Sequence, residues 1–334
     1  MTIYDIAKEA GVSASTVSRV LNNKKGVNSQ TRQQIETLLN KYHFAPNASA
    51  QGLVAQSSKL VGIVMSDIRT QHHSESAYII EQQLRKYDYS CIIMNTGLSE
   101  DSREACFRVL ASRRVEAVVL IGSTFQTQHT SQYIRKYMKK LPVVLENGFI
   151  DLPNVYGVIT DEQSGVADCL RMLYERGRKH PRFVSLNDTP SNRLKIQGFL
   201  SVWSAHNPQD SYDPILHVEK DPNLEDWDNC YMGTKRCMAE HPETDALVFA
   251  TDLMANAGER ALLDLGYRIP EQVALIGIDN SVYTKLSHPR LTTLDNKMPE
   301  LSMMCASVLV HLLSGEPVAH KTVIMTDIIP GEST

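Results

Sequence analysis

Thr2-Ile3-Tyr4-Asp5-Ile6-Ala7-Lys8-Glu9-Ala10-Gly11-Val12-Ser13-Ala14-Ser15-Thr16-Val17-Ser18-Arg19-Val20-Leu21-Asn22 is the stretch on which the reading of this chain turns. Thr2 followed three positions later by Asp5 fits a capping box. Ile3, Ile6, Ala7 and Ala10 recur at helical spacing, which predicts a first helix from about Ile3 to Ala10. Gly11 stops it, because glycine accepts the positive φ of a tight interhelical turn. Val12 can pack inward, and Ser13 is a good N-cap for a second helix that buries Val17, Val20 and Leu21. After a polar loop, Asn28 or Ser29 can cap a third helix with Ile35, Leu38 and Leu39 as its apolar stripe. Three short helices around one small core make a helix-turn-helix domain.

The buried face of the second helix leaves Ala14, Ser15, Thr16, Ser18 and Arg19 on its outer and N-terminal surfaces, where a recognition helix presents side chains to the major groove. Arg19 can reach a guanine edge with two hydrogen bonds, Ser15 and Thr16 can meet bases or phosphates, and Ala14 can touch a thymine methyl. A solvated helix face is the competing reading. Charge is distributed to match the first one: residues 1–60 carry seven Lys and Arg against three Asp and Glu, net +4, which leaves −8 of the overall −4 to the rest. A basic first sixth on an acidic body suits a module that meets phosphate. Downstream, Asn47 can cap about two turns of helix as far as Val54. That is shorter than the roughly 12 to 15 residues an isolated helix needs, and Gly52 weakens it, so it is expected to fold only against a partner.

At 334 residues and 42% hydrophobic content, the chain is too long for one small core and too apolar for disorder. From about Leu60 short apolar runs alternate with helical stretches. Strands are expected at Leu60 to Met65, Cys91 to Met94, Ala117 to Ile121, Val143 to Leu145, Phe183 to Leu186, Ala246 to Ala250 and Val273 to Ile278. The helices between them include Ser76 to Lys86, Ser102 to Ser112, Gly165 to Arg176 and Met254 to Leu265, so parallel sheets in βαβ order follow. No dinucleotide, P-loop, nucleophile-elbow or zinc-protease motif is present, which leaves an enzyme without a catalytic constellation. The six cysteines are scattered and read as reduced core thiols, and no metal or cofactor is implied. The N-terminus lacks the pattern of a signal peptide and no run could span a bilayer, so a cytoplasmic, non-membrane protein is expected. An exported transport protein would share the later pattern but needs a signal peptide and has no use for residues 1 to 55.

The run Thr2 to Asn22 resembles the headpiece signature of the LacI/GalR family of regulators, of lactose-repressor type, and Tyr42-His43-Phe44-Ala45-Pro46-Asn47 resembles its headpiece-to-hinge junction. The resemblance continues through Thr160-Asp161, Thr251-Asp252-Leu253-Met254-Ala255, Ile276-Gly277-Ile278-Asp279-Asn280 and His288-Pro289-Arg290-Leu291-Thr292-Thr293-Leu294. It implies an all-α helix-turn-helix headpiece followed by an α/β periplasmic-binding-protein-like core of two Rossmann-like lobes. The implied division is 1–46 for DNA binding, 47–58 for a hinge helix and linker, and 59–334 for ligand binding and dimerisation. It further implies a sequence-specific repressor of near-palindromic double-stranded operator DNA. Such a repressor would act as a homodimer and be controlled by a small effector, a sugar or sugar acid, held between the lobes.

By the same resemblance Ala14 and Ser15 fall on positions that choose the operator and Arg19 on a base-contacting arginine. Tyr4, Thr16, Ser18, Asn22, Asn28 and Thr31 fall on backbone-contacting positions. Leu53 falls on the hinge leucine that wedges into a minor-groove step. In the core, Asp279 matches an effector-binding aspartate, with a turn cap as its alternative. Asn147 aligns with a cleft aspartate, although Asn-Gly is also a common turn. Lys195 stands where many members place an arginine, with Arg193 nearby; Thr251 replaces a frequent asparagine. His72 and His73 occupy a stretch where sugar-binding members carry aromatics, solvent-exposed histidines being the alternative. Lys195, Arg193 and His72 opposite Asp279 and Asn147 suggest an effector with a negative group. Gln51-Gly52 departs from the Arg-Ser of many members. The C-terminal Thr326 to Thr334 holds no leucine heptad, so a dimer rather than a tetramer is expected.

Overall fold

The computed structural model describes residues 1–21, 23–44, 57–206 and 212–334. The chain divides into two compact units, Met1–Lys59 and Leu60–Thr334. The first consists of α1 (Ile3–Glu9), α2 (Ala14–Leu21) and α3 (Ser29–Lys41). Its capping box forms as expected: the Thr2 amide donates to Asp5 Oδ2 at 2.7 Å while Thr2 Oγ1 accepts from the Asp5 amide at 3.3 Å. Gly11 takes φ +65° at the turn, the Thr16 amide donates to Ser13 Oγ at 3.2 Å, and Asn28 Oδ1 accepts from the Thr31 amide at 2.7 Å. Ile6, Ala7, Ala10, Val17, Val20 and Ile35 are buried, with Leu21, Leu38 and Leu39 packed against them. These are the apolar positions that helical spacing selects.

The second unit is α/β with two six-stranded sheets. Its strands are β1 (Leu60–Met65), β2 (Ser90–Asn95), β3 (Ala117–Ile121), β4 (Val143–Glu146), β5 (Val155–Thr160), β6 (Pro181–Ser185), β7 (Ile215–His217), β8 (Ala246–Phe249), β9 (Ala274–Ile278), β10 (Thr292–Asp295), β11 (Lys321–Ile324) and β12 (Asp327–Ile329). One lobe has the order β11-β5-β4-β3-β1-β2 and is parallel throughout. The other has the order β12-β10-β9-β8-β6-β7, parallel except for β12. All residues of β3, β8 and β9 are buried, as strands covered on both faces require.

The chain passes between the lobes three times. From β5 it enters helix α7 (Glu162–Glu175), whose Val166, Leu170 and Leu173 belong to the second lobe's core. From β10 it returns into α12 (Met298–Leu313), whose Leu301, Cys305 and Leu309 join the first lobe's core. From β11 it crosses again to β12. Close packing then sets the cleft. A Cβ on Gly198, in α8 (Pro190–His206), would lie 2.1 Å from the carbonyl oxygen of Gln163. Only glycine lets α8 press onto the start of α7, and Lys195 is thereby brought beside Glu162. Helix α4 (Gln71–Arg85) begins five residues before the expected Ser76, because its first turn, Gln71 to Glu75, is polar and shows no apolar periodicity.

Candidate nucleic-acid interface and ligand cleft

In the helical unit, α2 buries Val17 and Val20 and turns Ser15 and Arg19 to solvent, with Ala14, Thr16 and Ser18 half-buried. Arg19 makes no ion pair among the described residues. The Ser13 hydroxyl lies 2.8 Å from that of Ser15 and 2.9 Å from that of Thr16, so the helix entry carries a small hydroxyl cluster. Tyr4 is 73% exposed, Asn28 is exposed with its carbonyl oxygen used as a cap, and Thr31 is half-buried. Asn22 and Leu53 lie outside the described residues, as does most of the expected hinge at 47–58.

Two fastenings escaped the sequence reading. Glu9 Oε1 accepts from Lys41 Nζ at 3.1 Å and from the Tyr42 hydroxyl at 3.0 Å, tying the end of α3 to the end of α1. Arg32 donates to the Lys24 carbonyl at 2.7 Å and to Asn23 Oδ1 at 3.2 Å, pinning the loop after α2. Both pairings span turns of chain that no local pattern reveals.

In the core, strand ends and helix starts gather a buried polar cluster between the lobes. Asn147 follows β4 at φ +53° and Asp279 follows β9 at φ +118°. The second value is a strained conformation for a residue with a Cβ, of the kind that persists only where surroundings enforce it. The Asp279 amide donates to the Leu294 carbonyl at 2.9 Å, and Asp252 holds the turn that follows: its Oδ2 accepts from the Ser281 amide at 2.7 Å and hydroxyl at 2.9 Å, and its Oδ1 accepts from Thr293 Oγ1 at 2.6 Å. Asn296, where the chain leaves β10, donates from Nδ2 to Asp279 Oδ1 at 2.7 Å. Lys195 Nζ lies 3.3 Å from Glu162 Oε1 and donates to the Ala250 carbonyl at 3.0 Å. His72 Nε2 lies 3.3 Å from Glu146 Oε1, at ion-pair distance but outside hydrogen-bonding alignment, while Ser302 donates to Glu146 Oε2 at 3.2 Å. Ser191 joins the lobes directly, its amide donating to Ser123 Oγ at 3.2 Å and its hydroxyl to Glu162.

Electrostatics follow from this enclosure. Burial opposes the charged His72 ring, yet Glu146, Asp279 and Glu162 outweigh it and hold its pKa above the ordinary histidine value. His73 goes the other way: burial lowers its pKa, offset only in part by its ring nitrogen's 2.9 Å contact with the Asp67 carbonyl. Burial raises the Asp279 carboxyl, opposed by Lys195 and His72, and burial with Asp279 nearby pushes Asp252 up to about 7. Lys195 keeps its charge, because Glu162 and Asp279 exceed the effect of its burial.

The expected ligand residues therefore divide. His72, Lys195 and Asp279 come together in the cluster. Asn147 adjoins it, its Oδ1 accepting from Thr160 at 3.5 Å. Thr251 caps α10 (Asp252–Asp264) by accepting from the Met254 amide at 3.3 Å. Arg193 is exposed and paired with Asp188 at 2.6 Å, apart from the buried charges. His72 and His73 are part-buried rather than solvent-exposed. Glu146, Glu162, Asp252 and Asn296 were missed. A carboxylate ending the apolar run Val143 to Leu145 was the available signal for Glu146; burial of the other three depends on contacts distant in sequence.

A helix-turn-helix unit joined to a two-lobed α/β core with a polar cleft defines the class of DNA-binding regulators that carry their own ligand-sensing domain. Residues 2–47 match the bacterial regulatory proteins of the lacI family, and residues 170–334 match a periplasmic binding protein-like domain. An HTH-type transcriptional regulator of Lachnoclostridium phytofermentans is 31% identical, over 100% of this chain and 99% of that protein. The chain belongs to the lacI family and is a transcriptional regulator with a DNA-binding headpiece and an effector-binding core. Among solved structures, the Lac repressor dimer bound to operator and the anti-inducer ONPF superposes with a TM-score of 0.86 at 20% identity, covering 100% of this chain and 98% of that one. A complex of the transcriptional regulator CelR with cellobiose gives a TM-score of 0.71 at 22% identity, with both chains covered completely. This relative and the proteins of these two solved structures are transcriptional regulators. Among the described residues no helix is long and apolar enough to cross a membrane.

Proposed function

We propose that this chain represses transcription by binding a near-palindromic operator as a homodimer, and that a small sugar-like effector in the interlobe cleft sets its operator affinity. What carries the DNA half is the outer face of α2, which holds Arg19 in solvent without an ionic partner among the described residues. Ala14, Ser15, Thr16 and Ser18 share that helix, and we assign base contact to Ala14, Ser15 and Arg19. Phosphate contact goes to Tyr4, Thr16, Ser18, Asn22, Asn28 and Thr31. One headpiece offers few contacts, and a two-fold dimer doubles them on two equal half-sites. The solved Lac repressor dimer on its operator supports this arrangement.

The cleft half rests on the strained, buttressed Asp279 beside His72, Lys195 and Asn147, a group of carboxylate, amide and cation suited to hydroxyls. Cellobiose bound to CelR supports a sugar-like ligand. An effector that prefers one arrangement of the lobes shifts that equilibrium by no more than its differential affinity. We assign transmission to residues 47–58, with Leu53 entering the minor groove, and place the protein in the cytoplasm with its DNA; no reaction is assigned to it. Couplings of about 1 to 3 kcal/mol correspond to roughly 5- to 150-fold in operator affinity. Selection of operator fragments from random DNA, followed by titration in rising salt with and without a panel of sugars, tests the whole reading. It predicts a palindromic consensus, salt-sensitive binding and a ligand-dependent shift of that size. Binding without sequence preference, or a consensus with no two-fold symmetry, would refute it.

A further inference from the structure

Carboxyl groups outnumber cations among the buried side chains of the cleft, and two of its buried oxygen acceptors stand open. Three carboxyl groups, Glu146, Glu162 and Asp279, stand with two cations, His72 and Lys195, and these two cations oppose the upward push that burial gives Asp279. Asp252 is left out of that count, because burial with Asp279 nearby pushes its carboxyl up to about 7. Each nearby cation has its own carboxylate: Lys195 is held by Glu162 and the Ala250 carbonyl, His72 stands against Glu146, and Arg193 is paired outside with Asp188. The cations that suggested an anionic effector are therefore already engaged.

Independently of charge, two buried atoms lack a donor. Glu146, fully buried, has only the off-line His72 Nε2 at 3.3 Å against its Oε1, and Asn296, 2% exposed, leaves Oδ1 without a hydrogen bond. The Asn296 amide cannot simply be reversed, since its nitrogen is committed to Asp279 Oδ1 at 2.7 Å. Both unsatisfied atoms are acceptors, and a buried acceptor without a donor is unfavourable. An ammonium brings three N–H donors, no acceptor and one positive charge, which answers both deficits at once.

We propose that the effector is a polyhydroxylated ligand bearing a protonated amine, whose ammonium is received by Asp279 and Glu146. The proposal rests on the reading of the cleft as the effector site. Glu146 ends a strand of one lobe and Asp279 follows a strand of the other, so an ammonium between them draws the lobes together. That gives the ligand a preference for one lobe arrangement, which any allosteric effect requires.

The test is calorimetric titration of the full-length protein in phosphate buffer at pH 7 with matched sets of probes: a hexose, the corresponding hexosamine and the corresponding uronate. The hexosamine of at least one set is expected to bind about 10- to 100-fold more tightly than its neutral parent, the range of one charge-assisted hydrogen bond. Asp279→Asn should remove about tenfold or more of that advantage. Glu146→Gln, which keeps size while removing charge, should do likewise, with thermal melts confirming that each variant folds. A hexose or uronate bound as tightly as the amine overturns the proposal and leaves the cleft as the effector site. So does the absence of hexosamine binding at millimolar concentration, and so does binding unchanged in both variants. A hexosamine that binds with the expected preference but does not alter operator affinity upholds the proposal and refutes the regulatory role of the cleft instead.

Discussion

In the helical unit Tyr4, Ser15 and Arg19 stand in solvent, whereas in the cleft Lys195 is buried against Glu162, Glu146 against His72 and Ser302, and Asp252 against Ser281 and Thr293. Tyr4, Ser15 and Arg19 lie outside the core of the helical unit, whereas Asn28 is both an assigned phosphate contact and the cap of α3. In the cleft the groups that would meet a ligand are the same ones that hold the interior together. Substitution of the solvent-facing Tyr4, Ser15 or Arg19 should therefore act on binding, whereas removal of one partner of a buried ion pair in the cleft should act on folding as well.

The largest effect is expected from Lys195→Met, which leaves Glu162 as an unpaired buried charge and should cost about 3 to 5 kcal/mol of core stability in urea denaturation. Adding Glu162→Gln to it should restore most of the loss. A single variant with near-wild-type stability breaks the comparison, because Glu162 would then be hydrated or protonated without cost. Next comes Arg19→Ala, expected to lower operator affinity by about 1 to 3 kcal/mol, to affect random DNA far less and to leave the melting temperature unchanged. Equal losses on both DNAs would make Arg19 a phosphate contact. Asn28→Ala sharpens the contrast from within the helical unit, since removing the α3 cap should cost roughly 1 kcal/mol of headpiece stability, read by amide hydrogen exchange.

The smallest effect is a pH dependence. The His72 pKa stands above the ordinary 6.5, so the stability it contributes is complete below that value and is lost as the pH rises through its higher folded value. The stability difference between wild type and His72→Gln should accordingly shrink on going from pH 6 towards pH 9. A gap that widens with pH would mean that His72 is neutral in the fold.

Legibility from sequence follows the same division. The helical unit was readable because its signals are local: Thr2 and Asp5 three apart, Gly11 at a positive φ, Val17 and Val20 on one face. Buried parallel strands such as Ala117 to Ile121 were equally plain, being short apolar runs. The polar first turn of α4 and the cleft carboxylates were not. Ser302 and Glu146 are 156 positions apart, and Thr293 and Asp252 are 41 apart, so their pairing exists only once both lobes are built. Arg193 and Lys195 looked equivalent in sequence, two residues apart on one helix. The helical rotation of about 200° between them sends one to solvent and the other into the cleft.

A single break in the gene near Lys59 separates the helical unit from all that follows, so headpieces can be traded whole between relatives. No single break separates the two lobes, because the chain changes lobe after β5, after β10 and again after β11. A recombination inside the core would leave each lobe with strands from two parents and a mismatched interior. New DNA targets are therefore open to shuffling in one step, whereas new ligands must be reached by point substitution, one side chain at a time, within an inherited cleft.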